Sequence, residues 1–85
     1  MPYISPERRK VIDKYVIDNF AFKDAGELNY ILTKLCRNYF WFNGRRYQQI
    51  NDVIGALEGC KLEFYRRLVA PYEDEKIKEN GDVYS

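Results

Sequence analysis

The sequence predicts an all-α fold: a small three-helix bundle, followed by a short acidic helix, with extended arms at both ends. Two observations predict it. Apolar residues recur at one-and-four spacing through three long segments, which is the period of an amphipathic helix. Residues that start or stop helices bracket those segments: Ser5-Pro6, Asp24 with Glu27, Asn43-Gly44 and Pro71.

Helix one opens at Ser5, whose hydroxyl can cap, with Pro6 at the first helical position and Glu7 in the first turn. Val11, Ile12, Tyr15 and Val16 form its stripe, and it is expected to end near Asn19 to Phe22. In "KDAGELNY", Asp24 followed three residues later by Glu27 reads as a capping box with Asp in place of Ser or Thr. Helix two carries Leu28, Ile31, Leu32, Leu35, Cys36, Tyr39 and Phe40 at core spacing. Asn43-Gly44 breaks it, because both residue types tolerate positive φ just past a helix end. Helix three then runs from about Tyr47 to Val69, with Ile50, Val53, Ile54, Leu57, Phe64 and Leu68 as buried candidates. Pro71 disfavours helical geometry at Ala70 and is expected to stop it. A short acidic helix over Glu73 to Asn80 would end at Gly81. The whole chain, 1–85, reads as one helical domain, with the main helices in 1–70 and an acidic tail in 71–85.

Eighty-five residues are few for a self-sufficient core, since a chain this short buries only about 60% of its extended surface. Oligomerisation is the expected help. Cys36 and Cys60 both lie within helical apolar patterns and read as buried free thiols rather than a bridge. The sequence shows no secretory leader, no apolar run near the ~18 residues of a membrane helix, and no N-x-Ser/Thr site. A soluble, cytoplasmic protein is therefore expected.

Fourteen basic and thirteen acidic side chains leave a net charge of +1, which argues against a general nucleic-acid binder relying on phosphate neutralisation. The distribution is uneven: residues 1–10 carry +2, 42–70 carry +2 and 71–85 carry −3. The acidic tail could fold back over a basic surface or reach across to one. Tyr72, Ile77, Val83 and Tyr84 within that tail, with Tyr3 and Ile4 at the other end, suit arms that dock on the helices or on a neighbouring copy. Eight tyrosines supply rigid area with a polar tip, suited to interfaces and ligand walls.

Gly55 and Gly59 lie one turn apart inside helix three, and each costs about 1 kcal/mol relative to alanine there. With Ala56 and Cys60 they make a small-residue stripe that would let another backbone approach. That backbone could belong to the same chain or to a second copy, and a ligand is a third occupant. Arg45, Arg46 and Tyr47 at the start of helix three, and Lys61, Tyr65, Arg66 and Arg67 near its end, with Tyr72 beyond, pair basic with aromatic side chains. Arginine beside tyrosine can bind phosphate while stacking on a base. A single small ligand would touch both groups only if an antiparallel second copy brought them together. The plainer reading is that these arginines pair with Glu63, Glu73, Asp74 or Glu75.

With no histidine and two cysteines, the chain lacks the Ser/His/Asp and Cys/His nucleophile systems, every His-containing metal site and a four-thiolate zinc site. No glycine-rich phosphate loop or calcium-loop spacing occurs, and Glu58 and Glu63 do not line up at one-and-four spacing. No catalytic residue, metal site or cofactor is assigned, and the chain is not expected to be an enzyme.

The segments "MPYIS", "ELNYILTKL" and "INDVIGALEGCKLEFYRRLVAPYEDEKIKENGDVY" resemble those of a family of short uncharacterised proteins encoded in bacteriophage and prophage genomes. The resemblance implies an accessory protein acting in an infected bacterial cell, with two routes to antagonising host defence. One is sequestration of a small nucleotide-type signal in clefts of a homo-oligomer. The other is occlusion of a host protein by the tyrosine-rich surface or the acidic tail.

Overall fold

The computed structural model describes residues 3–84. Met1 and Pro2 of the N-terminal arm, and Ser85, lie outside the described residues. Every regular element among them is helical: α1 (Pro6–Tyr15), a 3-10 turn (Ile17–Asn19), α2 (Ala25–Phe42), α3 (Tyr47–Phe64), a π-helical turn (Tyr65–Val69) and α4 (Ala70–Asn80). The chain divides into two units, Met1–Ile50 and Asn51–Ser85.

In the first unit, local hydrogen bonds set the element ends. The Ser5 hydroxyl accepts the Arg8 N–H at 3.2 Å, satisfying one of the donors a helix start leaves unpaired. The α-helix gives way after Tyr15 to the 3-10 turn, so helical backbone reaches Asn19, the near edge of the expected range. At α2 the Asp24 carboxylate accepts the Glu27 N–H at 2.9 Å, and Glu27 accepts the N–H of Lys23 at 3.1 Å. The reciprocal half of the capping box thus lands one residue earlier than the Asp24 N–H. Gly44 (φ 118) and Arg45 (φ 54) turn the chain out of α2. The Gln49 side chain then accepts the Arg46 N–H at 3.1 Å, ahead of the first turn of α3.

Four expectations are corrected. Pro71 does not stop the helix, because Ala70 is itself right-handed helical and α4 follows without a break. Proline has no N–H for the carbonyl four residues back, and its ring collides with that carbonyl. The π turn widens the helix just ahead of it, with the Ala70 N–H donating five residues back to the Tyr65 carbonyl. In consequence there is no separate acidic helix starting at Glu73. The acidic segment is the last part of uninterrupted helical backbone that ends, as expected, at Gly81 (φ 86).

The second correction concerns packing. Within each unit, among the described residues, the elements in contact are chain neighbours, α1 with the 3-10 turn and the π turn with α4. Neither unit closes its helices into a bundle around a core of its own. Thirdly, none of the apolar stripes is buried; Leu32, Leu35, Ile54 and Leu68 are 40%, 46%, 63% and 59% exposed. Cys36 is half-buried and Cys60 exposed, both as free thiols. Lastly, Tyr3, Val83 and Tyr84 are 77%, 92% and 95% exposed, so neither arm docks on the helices of its own unit, and the expected alternative of a neighbouring copy stays open.

With so little packing, caps carry a large share of local order. Replacing Asp24 with Ala is expected to cost about 0.5–2 kcal/mol, the usual range for a lost N-cap. Circular dichroism through a denaturant titration should show a lower midpoint and reduced helicity, with Asp24→Asn close to the unaltered protein.

Candidate functional site

The turn between α2 and α3 gathers charge and aromatic surface within the first unit. The positive φ of Arg45 folds it back, its N–H reaching the Phe40 carbonyl at 3.1 Å. Its guanidinium carbon lies 3.7 Å from the centre of the Trp41 ring. Arg37, one helical turn before Trp41, places its guanidinium 5.5 Å from the same centre. Both distances lie within cation–π reach, and the shorter is a stacking distance. Arg46 and Tyr47 follow at the α3 start, with Tyr47 75% exposed. Among the described residues, every ion pair lies on α3, the π turn and α4, and none involves Arg37, Arg45 or Arg46.

The second basic group is arranged differently. Arg66 and Arg67 both bond the Glu63 carboxylate, at 2.7 and 3.0 Å, and Lys61 lies 3.7 Å from Glu58. Tyr65 donates its hydroxyl to Glu73 at 3.1 Å, and Lys76 rather than an arginine sits over the Tyr72 ring, at 5.5 Å. The tail's own lysines take up its carboxylates, Lys76 with Glu79 at 3.2 Å and Lys78 with Glu75 at 3.5 Å. These are exposed contacts of small energetic weight, but they neutralise much of the local charge.

Of the expected ligand residues, Arg45, Arg46 and Tyr47 therefore stand together in one unit. Lys61, Tyr65, Arg66, Arg67 and Tyr72 stand in the other. Trp41 and Arg37 were missed, although their i, i+4 spacing on α2 was a readable signal. Of the residues expected at subunit contacts, Gly55 and Gly59 face open space, with nothing within 4 Å of a Cβ built on either. Tyr3 meets the guanidinium of Arg9 at 5.7 Å. No metal-holding group of side chains occurs among the described residues, and no described helix is long and apolar enough to cross a membrane.

Residues 1–83 match the family described as Domain of unknown function (DUF6899). The chain belongs to this family. The DUF6899 match covers both units, the basic turn and nearly all of the acidic tail. No curated protein and no solved structure resembles the chain closely enough to count as a relative.

The Glu63 contacts have a titration signature. Hydrogen bonds from Arg66 and then Arg67 hold its carboxyl below the ordinary 4.5, so its contribution to stability is present above that value and lost as pH falls through the lowered one. Carbon-detected NMR titration should show the Glu63 midpoint moving back up in Arg66→Ala. Tyr65 shifts the other way: its bond to Glu73 raises the phenol above 10.0. Its contribution is present below 10.0 and lost as pH rises through the raised value. In Glu73→Gln, the Tyr65 phenol should ionise at lower pH by ultraviolet absorbance.

Proposed function

We propose that the chain is a non-catalytic binding protein that holds a small anionic, nucleotide-type ligand at the α2–α3 turn. The observation that carries this reading is the pair of Arg37 and Arg45 over the exposed Trp41 ring, with Arg46 next along the turn, none of the three in an ion pair. Guanidinium groups give charge-assisted, often bidentate hydrogen bonds to phosphate. Trp41, Tyr47 and the Arg45 plane offer stacking surfaces for a base. A net charge of +1 favours a compact ligand held by a local patch over a long nucleic-acid track.

Lys61, Arg66 and Arg67 would contribute only after exchanging Glu58 or Glu63 for phosphate. That ranks them behind the turn, although such exposed pairs are cheap to break. The sequence resemblance to bacteriophage and prophage proteins supports a setting for this binding: an accessory protein that sequesters a host signal in the cytoplasm of an infected cell. A cluster of stacking and charge-assisted contacts binds and releases its ligand unchanged.

Trp41 is the only tryptophan in the chain, so its fluorescence reports the turn directly. Titration with a nucleoside triphosphate, a cyclic mononucleotide and a cyclic dinucleotide should give saturable quenching by at least one of them. Arg45→Ala should weaken that binding by about 1.5–3 kcal/mol, the range for a lost charge-assisted bond, with helicity unchanged. Pyrophosphate should compete only weakly if the base stacks. Absence of quenching by all three nucleotides would overturn the reading, and recovery of a chemically altered nucleotide would replace it with catalysis.

A further inference from the structure

We infer that second copies of this chain supply the core that it lacks, docking on the unpartnered apolar face of α2, so that folding and self-assembly are one event. Neither unit buries a large apolar side chain among the described residues: Val11, Leu28, Leu32 and Leu35 of the first and Ile54, Leu62, Leu68 and Ile77 of the second are each at least 40% exposed. An interface that covers such faces is of the obligate class, which resembles a domain core cut in half.

The face itself is continuous. Leu28, Ile31, Leu32, Leu35 and Phe42 fall within about a third of the circumference of α2 at 100° per residue. None of them is buried, and Phe42 is 77% exposed. Within the first unit α2 is packed against no other helix. A lone helix of 18 residues is only marginally stable in water, and α1 at 10 residues falls below the usual limit of about 12–15. Something must cover these faces for the helices to persist.

A second copy fits better than a foreign partner for three reasons. The deficit runs through every helix, from Val11 on α1 to Ile77 on α4, whereas a docking patch for another protein would leave the rest of the chain with a core. A net charge of +1 opposes self-association very little. Between copies the −3 tail complements the +2 segments at 1–10 and 42–70. The open Gly55/Gly59 side of α3 adds a place for close backbone approach.

The unaltered full-length chain, without ligand, is tested by multi-angle light scattering and by thermal melting over a hundredfold concentration range. A mass of at least twice 10.2 kDa, with a melting temperature that rises with concentration and helicity that falls on dilution, is the expected result. Leu32→Glu should shift dissociation to at least tenfold higher protein concentration, whereas Tyr30→Glu should leave it in place. A 10.2 kDa particle with cooperative, concentration-independent melting would overturn the inference, because the chain would then complete its own core. A chain unfolded at every concentration would overturn it in favour of a different protein partner. None of these outcomes depends on nucleotide binding, so the two readings fail separately.

Discussion

Hydrogen bonds that close within three to five residues along the chain carry the described structure. The Ser5 and Asp24 caps, the Gln49 bond to the Arg46 N–H, the Phe40 carbonyl that catches Arg45, and the π-turn bond from Ala70 to Tyr65 all belong to this set. Among the described residues, the ion pairs of Glu58, Glu63, Glu75 and Glu79 obey the same limit, each joining residues three or four apart. Such contacts define where helices begin and end, but each exposed one is worth little, and they cannot offset the conformational entropy of ordering a chain of this length. The large favourable term in folding, burial of apolar surface, is slight within each unit, where no described residue is fully buried, and the inferred second copies would supply it.

The contrast between the two basic groups follows from the same locality. Glu63 stands three and four residues before Arg66 and Arg67, the spacing at which helical side chains meet, so both guanidiniums find a carboxylate on their own helix. Arg45 sits in a turn with no acidic residue at that spacing, and what it meets is Trp41. Two clusters of similar composition thus end with different electrostatics: one is largely neutralised by its own helix, and the other keeps its guanidiniums available while an indole holds one of them in place. Ligand chemistry is better served by the second, because phosphate need not first displace a carboxylate there.

Much of the backbone was legible in the residues, and the misses have specific causes. Ser5, Asp24, Asn43-Gly44 and the start at Tyr47 were readable because caps and glycine turns depend on the chemistry of a few adjacent residues. Pro71 misled, since proline forbids an ordinary helical turn but tolerates one widened by a residue, and nothing in the composition of "YRRLVAPY" announces that widening. At the candidate site, Arg45, Arg46 and Tyr47 were identified from basic and aromatic side chains adjacent in sequence. Trp41 was not, because its link to Arg45 runs through a positive φ at a non-glycine residue, which sequence statistics discourage.

By itself the sequence determined that the chain is helical, where most helices start, and that its chemistry is of the arginine and tyrosine kind without histidine. These properties depend on residues within one or two turns of each other. Only the folded structure decided which guanidiniums are matched by carboxylates and which stack on an aromatic ring, because those choices turn on backbone dihedrals at Arg45 and through the π turn. It also decided that, among the described residues, the apolar stripes are at most half-buried within their own unit. Periodicity marks a face as one that must be buried, but does not say whose surface buries it.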